Sequence, residues 1–503
     1  MDETLYRIEG DSVLKYYPDL ELIDKQLIIQ LSEEAIDWAH AHGMVMRTAA
    51  AANRSDICQT APCTLFPSLF PSSLFQEAMD IQQAFNLLYF RVSWDFDFLI
   101  KSHVEVMKTD DFTRHFVEIL KAVHNSDFCQ KKTLLIQRND YMCNVDSCGH
   151  YSLKQIEVNN IAASMGSLAE RATGMHKRIL ETLQLPNKII KMAVMDNHPT
   201  DTIAGGIYEA WCDYGVSEAI VLFVVENVNQ NQIDQRHVEY RLDELSNRRA
   251  RCLRITLTDG AVRLKVNETN HHLIMDGKLH VAVVYFRAGY LPDNYPTEAE
   301  WSTRCTIELS DAVKCPWIGL QLANTKKVQQ VLSKEGVLEK YITDEAMCAR
   351  MRKTFAGMWG LENDDPETQK IIQVEHLEAL AHPEKFVLKP QLEGGSGNYY
   401  GVEVAEKLKT MDRDEMAAYI LMERITPMVV KNYLIRPQQE PTFMDVVGEL
   451  GIFAYLYGSP AVESSVEDVK NYVGGHVIRS KGKNVDKGGI AIGAAVIDSP
   501  YLF

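Results

Sequence analysis

The sequence predicts an α/β protein in which a larger part, residues 1–215 and 325–503, is interrupted by a small α/β module at 216–324. Three observations carry this. A helical N-terminal third gives way to strand patterns after Thr133. Two β-rich runs, 219–225 and 279–286, are separated by polar helical stretches and turn residues. In the C-terminal third, apolar strands alternate with two glycine-containing loops.

A chain of 503 residues is too long for one ordinary domain. Its 46% hydrophobic and 24% charged residues are those of a soluble globular protein. Met1-Asp2-Glu3-Thr4 offers no basic stretch before an apolar run, so no signal peptide is expected. The longest apolar runs, such as 220–225, fall far short of a bilayer span. A cytoplasmic protein without a membrane partner is therefore expected. The net charge of −17, with both signs spread along the chain, argues against nucleic acid as a partner. Anionic substrates must instead meet local clusters of Arg, Lys and backbone N–H groups. The ten cysteines include no CxxC pair. Cys143 and Cys148 flank a turn (CNVDSC) that would admit a redox pair or metal clip, but free thiols in a reducing compartment are the expectation.

Along the chain, Ser32 followed by Glu33 and Glu34 marks a helix start, and Gly43 beyond His40 and His42 marks its stop. Residues 73–106 carry a long apolar helical pattern, and the prolines of APCTLFPSLFP (61–71) mark an irregular connector between these two. TLLIQ and LKQIEVN then read as strands. After the small module, helices from Lys326 lead to the strand KFVLKPQ, the loop EGGSGNYYG, a helix near 402–411 and the strand AYILMERI. ELGIFAYLY, HVIRSK, the loop GKNVDKGG and IAIGAAVID complete the chain, with no internal repeat.

Chemistry concentrates in two places. In KFVLKPQLEGGSGNYYG a strand delivers Lys389, Pro390 breaks the ladder, and Glu393 precedes Gly394, Gly395, Ser396 and Gly397. Glycines let backbone N–H groups turn around phosphate oxygens, the lysine adds a point charge, and the glutamate can ligate Mg²⁺. The chain contains neither GxxxxGK[ST] nor GxGxxG. In QIEVN, period two places Gln155, Glu157 and Asn159 on one strand face, where a carboxylate and an amide oxygen can share a hard cation. Taken alone, the first motif reads also as a solvated hairpin and the second as a polar sheet face; their combination points to a nucleotide and metal. Arg138, Arg287 with Tyr290, and Arg479 with Lys481 follow or end strands, where cations suit anionic ligands.

APxTLFPSxxP, QIExNxIxAS, VVYFRxGY, QLAxTKKVQQ, VLKPQxEGGxxNxYG, ILMExI, ELGIF and GGxAxGxAVxDxPY occur in this order between about Met46 and the C-terminus. Together they resemble the eukaryotic-type glutathione synthetases. The resemblance implies an ATP-grasp fold with a small substrate-binding domain at 216–324, ATP with two Mg²⁺ ions, and a homodimer. It implies Glu157, Asn159 and Glu393 as metal ligands. Lys326, Lys389, Glu393, Gly394, Gly395, Ser396, Gly397, Asn398, Tyr400, Met422, Glu423, Arg424, Ile425, Glu449, Lys481 and Lys487 would hold ATP. Ile161, Ala162, Ala163, Ser164, Asn229, Asn231, Gln235, Arg287 and Tyr290 would hold γ-glutamylcysteine. Arg479, Ile490 and Ala491 would take the glycine carboxylate, and Arg138 would face the reacting carboxylate, so that Arg138, Lys389 and Arg479 carry catalysis.

Three positions depart from the family pattern. Asn229 stands where the family usually has Glu, leaving the γ-glutamyl ammonium a weaker partner. Lys487 stands where Asp is common, with Asp486 adjacent, and Ala162 where Ser is common. The implied reaction is ATP-dependent formation of glutathione through an acyl-phosphate. The same ligase chemistry on another amine such as β-alanine, or a non-catalytic nucleotide-binding scaffold, are its rivals.

Overall fold

The computed structural model describes residues 11–126, 131–362, 377–391, 397–460, 468–486, 489–490 and 493–503. Its central sheet has seven strands, in the order Val429–Ile435, Cys63–Thr64, Ala495–Asp498, Val469–Gly482, Thr442–Gly458, Thr133–Val145 and Tyr151–Asn159. Val429–Ile435 pairs also with the first part of Thr442–Gly458, which curls that side of the sheet round on itself. Both faces are apolar. Leu135, Leu450, Ile452, Leu456 and Ile478 join one core with Phe75, Ile81, Phe85 and Leu88 of the helix Ser72–Trp94. Their neighbours Leu134, Ile136, Phe453 and Val477 point the other way, onto the helices Gly166–Thr182 and Pro199–Tyr214. Successive strand residues point to opposite faces, so runs such as TLLI and LGIF feed two cores at once.

The 216–324 segment builds a six-stranded sheet: Cys252–Ile255, Ile220–Val224, Leu279–Phe286, Leu273–Met275 and Leu264–Val266, with Val313–Cys315 beside Leu279–Phe286. Ile220–Val224 runs parallel to both its neighbours, and all five of its residues are buried. Ile220, Leu222 and Val224 enter the first core and Val221 and Phe223 the second, so the two apolar layers continue from the central sheet into this one. A third, four-stranded sheet of Met358–Gly360, Tyr419–Glu423, Phe386–Pro390 and Tyr399–Tyr400 has its own small core with Val404 and Leu408 of the helix Val402–Thr410.

The structure corrects three readings of the N-terminal third. The first long helix is Lys25–Ala41, capped by Asp24, whose carboxylate accepts from Gln26 N (2.8 Å) and Leu27 N (3.3 Å). Ser32 lies buried inside it, donating to Ile28 O at 2.7 Å. The 73–106 pattern is two helices, Ser72–Trp94 and Phe96–His103, separated where Asp95 caps the second by accepting from Phe98 N. The proline-rich 61–71 segment is more than a connector: Cys63–Thr64 joins the central sheet and Ser68–Phe70 pairs with Pro500–Leu502. Strands of two and three residues are too short to show a period. No helix among the described residues is long and apolar enough to cross a membrane, and Cys143 (buried) and Cys148 (exposed) are both free.

His103 is fully buried between Leu99 O (2.7 Å) and Thr325 Oγ1 (2.9 Å). Burial lowers its pKa from 6.5 to about 4. The unfolded chain therefore takes up the proton first as pH falls, so this contribution to stability is full above 6.5 and is lost progressively toward 4. The loss is up to about 1.4 kcal/mol per pH unit for this one group. The thermal midpoint should drop between pH 7 and pH 5, and His103→Gln should make that drop smaller. An unchanged pH response in the variant would show that His103 is not a source of the acid sensitivity.

Candidate active site

Four neighbouring strands of the central sheet bring charged residues into one row. Register sets Asp140 opposite Glu157 and Gly451, Arg138 opposite Asn159, and Glu449 opposite Arg479. The Asp140 carboxylate, with no exposed surface, is the hub. It accepts from Arg138 Nε and Nη2 (both 2.7 Å), Arg479 Nη2 (2.7 Å) and Asn159 Nδ2 (2.9 Å). Arg479 also donates to Glu449 and lies 4.0 Å from Glu157. A Cβ on Gly451 would come within 2.7 Å of Asp140 Oδ1 and 2.8 Å of Arg138 Cδ, so only glycine allows this close approach.

Charge is distributed unevenly over the row. Burial pushes Glu157 toward the neutral acid, but Lys326, Arg479, Lys389 and Arg138 outweigh it and hold the carboxyl below its ordinary value. Burial dominates at Glu449, which with Asp140 and Glu157 nearby lies above its ordinary value despite Arg479. Burial opposes the Arg479 cation, yet Glu449, Asp140 and Glu157 more than compensate and raise its pKa. Ligand oxygens of Asp140, Glu157 and Glu449 lie within 4.8 Å of one another.

Above this floor, facing the four-stranded sheet, opens a cavity of about 880 Å³. Glu157, Lys389, Asn398, Tyr400, Met422, Glu423, Arg424, Ile425, Glu449, Arg479 and Lys481 all line it. Lys389 Nζ donates to Ile156 O at 3.2 Å, and Lys326 starts the helix Lys326–Ser333, buried. Asp486 ties two sides together, accepting from Arg424 Nη2 (2.8 Å) through its carboxylate and from Lys481 Nζ (2.6 Å) through its carbonyl. Gly397 takes a left-handed φ of 75° and Ile490 is buried. Glu393, Gly394, Gly395, Ser396, Lys487 and Ala491 lie outside the described residues.

Two expectations about these strands are corrected. Arg138 and Arg479 do not end strands; they lie inside Thr133–Val145 and Val469–Gly482, because the polar residues that follow them pair within the ladder. The face of QIEVN is broken by a bulge: Asp140 opposes Glu157 but Tyr141 opposes Gln155, leaving Ile156 unpaired. Gln155 is thus buried beside Tyr141, while Ile156 and Glu157 both line the cavity.

The remaining sites gather round the 161–165 turn. Arg287, one residue beyond Leu279–Phe286, donates from Nη1 to Ala163 O (2.8 Å), and Arg138 Nη1 donates to Ser164 O (3.1 Å). Asp234 accepts from Met165 N (2.9 Å) and Ser167 N (3.0 Å) and stands 3.8 Å from Arg287 Nη2. Ile161 is buried, and Ala162 and Met165 have φ of 50° and 70°. Gln235 accepts from Arg254 at 2.6 Å; Asn229 and Tyr290 are half-buried. Two buried atoms of opposite polarity, Arg287 Nε and Asn231 Oδ1, have no hydrogen-bond partner among the described residues. Asp140 and Asp234 were not singled out from sequence. The spacing of Arg138 and Asp140, two apart on a strand, was the one available signal for the first.

The family model for the eukaryotic glutathione synthase, ATP binding domain, matches residues 25–502. The chain belongs to the eukaryotic glutathione synthase family. Its α/β fold is of the ATP-grasp type. Glutathione synthetase of Xenopus laevis is 40% identical over 481 residues, 95% of this chain and 98% of that one. The Homo sapiens glutathione synthetase is 39% identical with the same coverage. The chloroplastic glutathione synthetase of Arabidopsis thaliana is 35% identical over 96% of this chain and 87% of its own length. Among solved structures, the apo form of a glutathione synthetase-like effector (GSS30) from Globodera pallida superimposes with a TM-score of 0.75 at 30% identity, covering 96% of this chain and 98% of that one.

Removing Asp140 leaves Arg138 buried with no other carboxylate within ion-pair distance among the described residues. Stripping one partner from a buried pair costs about 3–5 kcal/mol. Asp140→Ala should therefore unfold at markedly lower denaturant than the parent chain. A loss below about 1 kcal/mol would mean that water, not Asp140, solvates Arg138.

Proposed function

We infer that this member of the glutathione synthase family joins γ-glutamylcysteine to glycine with conversion of ATP to ADP and phosphate. Beyond family membership, the observation that carries this reading is the row of buried opposite charges at the floor of the cavity, with Lys389 at its edge. A carboxylate does not react with an amine at neutral pH, because oxide would have to leave. In the proposed path the cysteinyl carboxylate oxygen attacks the γ-phosphorus of ATP; the bond to ADP breaks and an acyl-phosphate forms. Glycine's amine then attacks the carbonyl carbon, the amide forms, phosphate departs with its bonding electron pair, and the amine loses a proton to phosphate or solvent.

The residues divide this work as follows in our reading. Lys326, Lys389, Lys481, Asn398, Tyr400, Glu449 and Met422 through Ile425 hold ATP. Arg138, fixed by Asp140 and Ser164 O, faces the reacting carboxylate. Arg479 makes both of its hydrogen bonds among the described residues through Nη2, which leaves Nε and Nη1 as donors for the glycine carboxylate. Arg287, Asn231, Gln235, Tyr290 and the 161–164 turn bind the dipeptide. Most of the rate comes from orientation and fixed charge, with no covalent nucleophile.

The donor set suits Mg²⁺: hard carboxylate oxygens cluster at Glu157, and Asn159 gives its N–H to Asp140, leaving its oxygen for a cation. Glu157, Asn159 and Glu393 are the proposed ligands, and Mg²⁺ bound there supplies charge neutralisation on the phosphates. We propose further that residues 216–324 act as the substrate-binding domain, that the chain is a homodimer, as the family resemblance implies, and that it works in the cytoplasm, in keeping with the free cysteines.

Phosphate release from ATP should require γ-glutamylcysteine and rise with glycine well above β-alanine. Glu157→Gln should lower turnover by about 100-fold or more while the chain stays folded. Near-normal turnover of that variant at saturating Mg²⁺ would remove Glu157 from the site. Phosphate release indifferent to the dipeptide would overturn the ligase reading.

A further inference from the structure

Ile220–Val224 and Leu279–Phe286 run parallel with Val224 beside Phe286, and Arg287 N donates to Val224 O at 2.8 Å. Arg287 is thus the first residue beyond Phe286 and Glu226 the second beyond Val224, both at the carboxyl edge of the sheet, where open α/β sheets bind ligands. The end of a γ-glutamyl group is an amino acid, with an α-carboxylate and an α-ammonium. The two orphaned buried atoms at this edge match it: Arg287 Nε is a donor for the carboxylate and Asn231 Oδ1 an acceptor for the ammonium. An ammonium taken out of water also needs a counter-charge.

The acids near this edge are not equally available. Asp234 is committed to two backbone N–H groups, to Asn231 Nδ2 (3.4 Å) and to Arg287. Glu239 is paired with Arg236 and Arg254. Glu226 is half-buried and holds only neutral partners: Asn229 Nδ2 at 2.6 Å and Asn294 Nδ2 at 3.3 Å. No cation among the described residues stands within ion-pair distance of it. Asn229 Oδ1 in turn accepts from Asn231 N at 2.7 Å, so one amide links Glu226 to the residue with the unpaired acceptor.

We propose that Glu226 is the carboxylate that binds the α-ammonium of the γ-glutamyl end, together with Asn231 Oδ1, and so selects an amino-acid donor over its desamino analogue. Asn229, neutral where the family pattern carries a glutamate, then orients Glu226, and the negative charge sits three residues earlier in the chain. The proposal rests on the glutathione synthase reading above.

The test compares γ-glutamylcysteine with N-glutarylcysteine, which lacks only the amino group, at saturating ATP and glycine. Glu226→Gln should raise the KM for γ-glutamylcysteine at least about tenfold, as expected for loss of a charge-assisted bond. The KM values for ATP, glycine and N-glutarylcysteine should stay within about twofold. Returning the charge in Glu226→Gln/Asn229→Glu should recover most of the loss, an outcome that a merely unstable variant cannot give. An unchanged KM for γ-glutamylcysteine, or an equal penalty on N-glutarylcysteine, overturns the proposal alone. Failure of the unaltered protein to turn over γ-glutamylcysteine overturns the functional reading, and this proposal with it.

Discussion

The site depends on one ion, the carboxylate of Asp140. Arg138 is almost wholly buried and Arg479 is half-buried at the cavity floor; neither guanidinium can be drawn away from water without a fixed anion beside it. Asp140 serves both and also fixes the amide of Asn159. Its neighbour across the ladder must be Gly451, since a side chain there would occupy the carboxylate's position. A set of charges held this way does not need to reorganise when a phosphate or carboxylate arrives, which is the main requirement for stabilising charge that moves during phosphoryl transfer.

The rigidity of that row comes from the sheet beneath it. Strands of 13, 14 and 17 residues are each packed against helices on both faces, so the side chains of the row cannot shift without disturbing two cores. The four-stranded sheet across the cavity has a separate, smaller core. Contacts such as Arg424 with Asp486 bridge the two sides through exposed polar groups rather than through apolar packing. The floor of the cavity is thus built for fixed geometry, and its other wall for weaker, polar engagement.

The alternating architecture was legible because strands buried on both faces are near-continuous apolar runs, and 220–224, 281–286 and 450–457 are such runs. Lys389, Glu157, Glu449 and Arg479 were legible through motifs, and they do line one cavity. What sequence hid has local causes. Asp24 and Asp95 decide helix ends through one or two local hydrogen bonds that leave no periodic trace. The Ile156 bulge shifts a strand face by one residue without changing composition. Asp140 looks like any charged residue of a surface strand until the fold places two arginines on it. The role of Glu226 depends on a contact with Asn229 that only the turn after Ile220–Val224 creates.

The central claim is that the chain activates a carboxylate by phosphoryl transfer on this fixed floor of charge. The most direct measurement uses γ-glutamylcysteine labelled with ¹⁸O in the cysteinyl carboxylate, incubated with ATP, Mg²⁺ and glycine, followed by mass analysis of the phosphate. The account predicts that each phosphate released with glutathione carries a single ¹⁸O from the carboxylate. Glutathione formed alongside unlabelled phosphate would contradict it.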